Sequence, residues 1–140
     1  MTITDSIIEH VADIGLEAIA DTAKNKEEIA DARKKLTDFI QGQEKYNFNC
    51  SIQEEIDFQS LSEYICSDLI DDVRVRLFGK RKDRGLARQT IMNKAAYYAQ
   101  AKTKLSEQRA KNLVGTAIDI LALYYRGKTK PELLEAVPIG

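Results

Sequence analysis

Apolar residues recur every three or four positions along most of this 140-residue chain. This spacing is the period of an amphipathic α-helix, and no alternation of apolar and polar residues is long enough to predict a strand. Glycines and capping residues divide the pattern into five main helices and one short C-terminal helix. The predicted helices span residues 5–24, 25–41, 57–78, 83–102, 105–126 and 130–137.

The intervals between these helices are short, apart from residues 43–56, which the pattern predicts to be a loop or a short irregular helix. Short connections favour antiparallel neighbours, and a chain of this length can bury one hydrophobic core. We therefore predict that residues 1–140 form a single all-α domain, a bundle of about five main helices. The apolar ending ELLEAVPIG is compatible with a complete protein and equally with a fragment of a longer one.

Four tyrosines lie on the fourth and fifth predicted helices, as one adjacent pair on each. The fourth places Leu86 and Ile91 on its apolar face, and the tyrosine pairs 97–98 and 124–125 follow on the two helices. In each pair one ring can enter the core while the other reaches the rim, so core packing is the favoured interpretation. A stacking platform for nucleic-acid bases is the alternative.

Charge is divided sharply between the two halves of the chain. Residues 1–73 contain 17 Asp/Glu and 6 Lys/Arg, whereas residues 74–140 contain 5 Asp/Glu and 15 Lys/Arg. The halves therefore carry formal charges of −11 and +10, although the whole chain carries only −1. Such a separation indicates binding partners, self-association or internal complementarity, and it does not favour any particular fold.

The negative charge is most regular on the first predicted helix, where an acidic residue occupies every fourth position. Like charges at this spacing repel one another and destabilise the isolated helix. A basic surface nearby, in the fold or on a neighbouring molecule, would offset this repulsion. The pattern has two interpretations, a solvated polar face and a docking face. The acidic positions are Asp5, Glu9, Asp13, Glu17 and Asp21.

The positive charge is concentrated in residues 74–88, where seven cations face a single acid, Asp83, for a net charge of +6. Several of the cations are arginines, whose planar guanidinium can bind a carboxylate or a phosphate through two hydrogen bonds. Cations interact favourably with the C-terminus of a helix. This gives a purely structural explanation for the cations that lie at the end of the third predicted helix.

Familiar catalytic and metal-binding patterns are absent from the sequence. His10 is the only histidine, Cys50 and Cys66 have no CxxC spacing, and no GxxxxGKS/T or GxGxxG motif is present. We therefore predict no enzyme activity, no cofactor, no metal and no small-molecule substrate. The cysteines are interpreted as reduced thiols of a cytoplasmic protein, because the chain shows neither a secretory signal nor an apolar run of about 18 residues.

Residues 56–126 resemble the N-terminal helical domains that precede NACHT-type nucleotidase modules in bacterial defence proteins. The resemblance is carried by RLFG (76–79), ARQTI (87–91), AYYAQAKTKLSEQRA (96–110) and AIDIL (117–121). It implies an effector or adaptor domain of an antiphage protein whose central nucleotidase senses an invader and oligomerises. The phosphate-binding motifs of the nucleotidase itself are missing, so the resemblance implies the terminal module alone and no active site.

These observations favour a non-catalytic interaction module that binds a protein partner or copies of itself. The acidic first helix would dock on the basic 74–88 region of the next molecule, a head-to-tail arrangement that forms rings or filaments. A nucleic-acid-binding domain that uses the same basic region is the alternative. A membrane-acting effector is a third interpretation, disfavoured because anionic lipid would repel the acidic helix. The predicted partner-binding residues are Asp13, Glu17, Arg81, Arg84 and Arg88.

Overall fold

The computed structural model describes residues 3–20, 25–43, 46 and 48–127, with side chains from residue 6 onward. All regular structure in these ranges is helical, which confirms the predicted all-α class. The short helix predicted at 130–137 lies outside the described residues. The helices are α1 Ile3–Ala18, α2 Lys26–Gln41, α3 Ile52–Asp68, α4 Ile70–Phe78, α5 Arg81–Lys102 and α6 Glu107–Arg126.

Helix α1 lies at the centre of the bundle and packs against α2, α3, α4 and α6. Its predicted apolar face is buried, with Ile7, Val11 and Ile14 fully inaccessible to solvent. Gly15 permits the closest approach, because an added Cβ would lie 2.8 Å from a methyl group of Leu36 and 2.8 Å from one of Leu121. The face that would have to enter a membrane is therefore part of the core.

The helix predicted at 57–78 is in fact two helices, and it begins earlier than expected. Ser51 and Glu54 form a capping box that starts α3 at Ile52: Ser51 Oγ accepts from the Glu54 amide at 3.2 Å, and Glu54 Oε1 accepts from the Ser51 amide at 3.0 Å. Residues 52–56, part of the segment predicted to be a loop or a short irregular helix, are regular α-helix and form the first turn of α3.

The break between α3 and α4 falls at Leu69, where the backbone turns to φ −117° and ψ 8°. Leu69 is nevertheless buried, and so are Ile65 before it and Val73 after it. The apolar stripe continues through the break without interruption. The hydrophobic pattern therefore could not reveal that the backbone changes direction.

The first helix is shorter than predicted. The α-helical part ends at Ala18, and the Ile19 amide donates to Leu16 O at 3.1 Å, which tightens the last turn. Residues 21–24, which the prediction included in this helix, lie outside the described ranges. The predicted start of the second helix is confirmed, because Asn25 Oδ1 accepts a hydrogen bond from the Glu28 amide at 2.8 Å and caps α2.

Helices α5 and α6 form a closely packed pair joined by residues 103–106. The buried face of α5 consists largely of alanines, among them Ala95 and Ala99, so α6 can approach it closely. Within the ranges that the structure describes, none of the six helices has the length and apolar character needed to cross a bilayer.

Candidate interaction surfaces

Part of the acidic face of α1 is already neutralised by a residue of α2. Arg33 donates from Nη1 to Glu9 Oε2 at 3.0 Å and from Nη2 to Asp13 Oδ1 at 2.6 Å. Burial alone would lower the pKa of Arg33, but the hydrogen bonds and charges of Asp13 and Glu9 outweigh it and raise that pKa. Asp13, predicted to bind a partner, is therefore engaged within the subunit.

His10 also belongs to the packing of α1. Its Nε2 lies 3.0 Å from Glu55 Oε1 of α3, and its Nδ1 lies 4.0 Å from Asp13 Oδ2. Among the side chains that the structure describes, no group of three or more His, Cys, Asp or Glu could hold a metal ion. The contacts of His10 thus connect α1 to α3 without completing such a group.

The C-terminal end of α1 is capped by residues from distant helices. Arg74 of α4 donates from Nε to Ala18 O at 3.1 Å and from Nη2 to Glu17 O at 3.3 Å. The Tyr125 hydroxyl of α6 donates to Gly15 O at 3.1 Å. Because α1 has no basic residue in its own last turn, Arg74 supplies the positive charge that this end of a helix favours. One cation of the 74–88 segment is therefore structural.

Arg88 is engaged in the same way, on α6. Its Nε donates to Asp119 Oδ1 at 2.8 Å and its Nη2 donates to Asp119 Oδ2 at 2.9 Å, a bidentate pair. Hydrogen bonding to Asp119 raises the pKa of Arg88. The guanidinium covers Gly115, where an added Cβ would lie 3.1 Å from Nη2. Arg88, which we predicted to bind a partner, joins α5 to α6 instead.

Arg76 of the segment lies 3.7 Å from Asp119, measured from Nη2 to Oδ1. The other four cations form a surface that we call the basic corner: Lys80, Arg81, Lys82 and Arg84, at the start of α5. Their side chains make no ion pair or hydrogen bond with any other residue in the described ranges. Lys80 occupies the N-cap position, and its side chain makes no capping hydrogen bond. A helix N-terminus favours anions, and Asp83 in the first turn of α5 supplies one; the four cations around it leave residues 80–84 with a formal charge of +3.

Leu86 lies one helical turn after Lys82, on the same side of α5, and is 72% exposed. We predicted that Leu86 lies on the apolar face of this helix, and this prediction is wrong. The buried residues of α5 are Ala87, Ile91, Ala95, Ala96 and Ala99, and the centre of this face lies about 180° from Leu86 around the helix. The basic corner therefore adjoins an exposed apolar side chain.

An apolar cleft of about 320 Å³ lies between α1 and α2; we call it the α1–α2 cleft. Its charged lining residues are Glu17 and the paired Asp13 and Arg33. The side chain of Glu17 lies at its rim and forms no ion pair with any residue described by the structure. Cys66 of α3 also lines it, and burial raises the pKa of this thiol to about 12. Neither cysteine forms a disulfide. The apolar lining consists of Leu16, Ile19, Ala20, Ile29 and Ala32.

The structure thus divides the five predicted partner-binding residues into two groups. Asp13 and Arg88 are bound to Arg33 and Asp119 inside the subunit, whereas Glu17, Arg81 and Arg84 remain on the surface. Sequence reasoning missed the α1–α2 cleft, because its lining comes from three helices that are separated along the chain.

Comparisons with known proteins identify no relative of this chain. No protein-family model, no curated protein and no solved structure matches the chain.

Proposed function

We propose that this protein is a non-catalytic helical interaction module that assembles head to tail. The basic corner of one copy docks on the α1–α2 cleft of the next copy. The observation that carries the proposal is that the basic corner and Glu17 are oppositely charged and lack ion-pair partners among the described residues of their own subunit.

The two surfaces are complementary in polarity as well as in charge. Leu86 is the exposed apolar residue next to the corner, and the floor of the α1–α2 cleft is apolar. Burying such a leucine contributes about 1.5–3 kcal/mol, and the guanidinium groups of Arg81 and Arg84 can reach Glu17 at the rim. The apolar contact would supply affinity, while the charges would set the register and the rate of association.

Docking between two different surfaces is heterologous, so it continues from copy to copy and forms a ring or a filament. A single contact of this size is weak, and clustering would strengthen it by raising the effective concentration. Resemblance to the domains that precede NACHT-type modules suggests such a setting, in a cytoplasmic antiphage protein whose nucleotidase oligomerises. The defence role stays a prediction.

Sedimentation velocity over a range of protein concentrations, at about 50 and 500 mM salt, tests the proposal. We expect the native chain to self-associate at low salt and to dissociate at high salt. Arg81→Glu with Arg84→Glu, and separately Glu17→Arg, should each remain monomeric. Mixing the two variants should restore assembly, because each reversed surface then meets an opposite charge.

Lys102→Glu with Lys104→Glu is the matched control, since both side chains are exposed and the change in net charge is the same. This control should assemble as the native chain does. A native chain that stays monomeric at every concentration and salt would overturn the proposal, as would a mixture that fails to assemble. Tight, salt-dependent binding of duplex DNA by a monomer, lost in the Arg81→Glu, Arg84→Glu variant, would support the nucleic-acid alternative instead.

A further inference from the structure

A second cleft, of about 530 Å³, lies between α4 and the C-terminal half of α6. It shares no lining residue with the α1–α2 cleft, and none of the basic corner lines it. We call it the arginine cleft, because two arginines from different helices meet there beside one carboxylate. Its lining residues are Tyr46, Arg76, Asp119, Ala122, Leu123, Arg126 and Gly127.

The arginine cleft holds more positive charge than its carboxylate can pair. Both oxygens of Asp119 accept hydrogen bonds from Arg88, at 2.8 and 2.9 Å. Arg76 Nη2 lies 3.7 Å from Asp119 Oδ1, which is too far for a hydrogen bond. Arg126 makes no ion pair with any residue that the structure describes. Arg88 and Arg76 lie beside Asp119 and Arg126 lines the same cleft, so these four groups carry a formal charge of +2.

Arg76 is the least satisfied of the three. Its Nε is buried and has no hydrogen-bond partner, and within the described ranges no other nitrogen of its guanidinium is hydrogen-bonded. Leaving a charged donor buried and unpaired destabilises the folded state. Asp119 does not require Arg76, because Arg88 already occupies both carboxylate oxygens. The position of Arg76 is explained if its guanidinium binds an anion that enters the cleft.

We propose that the arginine cleft binds the phosphate monoester of a small organic molecule. A phosphate monoester carries a charge of about −1.5 to −2 at neutral pH, close to the charge of the cleft, whereas a carboxylate carries only −1. Arginine forks match the oxygen geometry of phosphate. The organic part would pack on Tyr46, Ala122 and Leu123, and the volume lies within the range usual for small-molecule sites.

Phenyl phosphate, benzoate and inorganic phosphate are suitable probes, because the first two differ only in the anionic group. We would titrate each into the full-length chain and follow the Nε–H signal of Arg76 and the amide of Leu123 by NMR. Phenyl phosphate should shift both signals and bind at least about tenfold more tightly than benzoate, because its charge matches that of the cleft. Inorganic phosphate should shift Arg76 with lower affinity, since it lacks the ring.

Arg76→Met and Arg126→Met should each weaken binding of phenyl phosphate by about tenfold or more, as expected for loss of a charge-assisted contact. Arg81→Met, outside the cleft, should have no effect. Arg76→Met also distinguishes a ligand-binding role from a structural role. The melting temperature should be unchanged or higher, since the substitution removes a buried Nε that has no hydrogen-bond partner among the described residues, and Asp119 keeps Arg88.

Two results would overturn the assignment: an unchanged Arg76 Nε–H signal at millimolar phenyl phosphate, or equal binding of phenyl phosphate and benzoate. If Arg76→Met fails to fold, the exposed Arg126→Met decides the question by the same titration. Self-association should be the same in both variants as in the native chain. Failure of this proposal is therefore distinguishable from failure of the head-to-tail assembly.

Discussion

The arginines of this protein differ in what their guanidinium groups contact, and those contacts separate structural from functional roles. Arg33 and Arg88 each bind carboxylates, while Arg74 caps the carbonyls of α1. Arg81 belongs to the exposed basic corner, and Arg76 has a buried Nε without a hydrogen-bond partner. Residue type alone could not distinguish these cases, because all five arginines have the same chemistry and charge.

Cys66 is predicted to react slowly with thiol reagents in the folded protein. Its pKa is raised to about 12, first by burial and then by Glu17 and Asp13, so at pH 8 only about one thiol in ten thousand is ionised. Alkylation by iodoacetamide, followed by mass spectrometry, should therefore leave Cys66 unmodified while it modifies a free thiol at the same pH. In guanidinium chloride both Cys50 and Cys66 should react rapidly. Rapid modification of Cys66 in the native protein would contradict the prediction.

At the scale of secondary structure, the start of α3 is held by contacts that the hydrophobic pattern does not contain. Glu54 completes the capping box of α3 and accepts from Arg109 Nε of α6 at 2.6 Å. Arg109 also donates from Nη2 to Asn49 O at 2.8 Å. The start of α3 is therefore fixed both by its own capping sequence and by α6.

Stability in mild acid should depend on Glu54. The hydrogen bond from the Ser51 amide, and then the hydrogen bond from Arg109, lower the pKa of Glu54. A carboxyl whose pKa is lower in the folded state stabilises the protein above its unfolded pKa, about 4.3, and this contribution disappears as the pH falls through the folded pKa. In urea unfolding from pH 6 to 3, Glu54→Gln should lose less stability on acidification than the native chain does.

Glu63→Gln, on the exposed side of α3, is the control and should keep the native dependence on pH. Equal acid dependence in Glu54→Gln and the native chain would show that the α3 cap does not contribute in this way. The effect should be modest, because the side chain of Glu54 is 28% exposed and solvent screens its pairing with Arg109.

Two glycines that flank the basic corner should respond in opposite directions to the same substitution. At Gly79 an added Cβ would lie 2.5 Å from Val75 O, a backbone atom, so Gly79→Ala should destabilise the fold by about 1–3 kcal/mol. At Gly85, in α5, an added Cβ would have no neighbour within 4 Å, so Gly85→Ala should stabilise by about 0.5–1 kcal/mol. Urea denaturation measures both, and a destabilised Gly85→Ala would refute the comparison.

At the scale of the whole molecule, the separation of charge along the chain does not become a simple separation in space. Arg33 with Asp13, and Arg88 with Asp119, each pair within one half of the chain and leave its formal charge of −11 or +10 unchanged. Arg109 with Glu54 and Arg74 with Asp71 instead join the two halves, so they neutralise part of that charge within the subunit. The basic corner and Glu17 are among the charged groups that form no ion pair within the described ranges.

Leu86 should affect assembly and leave stability nearly unchanged. Its side chain is 72% exposed, so Leu86→Ala should change the free energy of unfolding by no more than about 0.5 kcal/mol. The same variant should weaken the self-association measured by sedimentation. Ile91→Ala, at a fully buried position of the same helix, should destabilise the fold by about 2–5 kcal/mol. A Leu86→Ala variant that assembles like the native chain would remove the apolar part of the proposed contact.

Several features were predictable from the sequence because they depend on neighbours along the chain. Helical spacing determined the all-α class, the cap at Asn25 and the buried face of α1. The tyrosine interpretation is also confirmed: Tyr125 is buried beside the partly exposed Tyr124, and Tyr98 stacks on Tyr64 at 4.3 Å while Tyr97 is 80% exposed. Local periodicity suffices for these features, because each residue's face follows from the helix geometry.

Only the tertiary structure decided which charged residues are available to a partner. Arg88 and Asp119 are 31 positions apart, and Arg33 and Asp13 are 20 apart, so no local pattern could pair them. The break at Leu69 was equally hidden, because a buried residue continues the apolar stripe whether or not the backbone turns. The sequence by itself determined the helices and the two charged regions. Long-range packing decided which of those charges are neutralised within the subunit. A charged side chain finds an ion-pair partner on another helix only where folding brings an oppositely charged residue next to it.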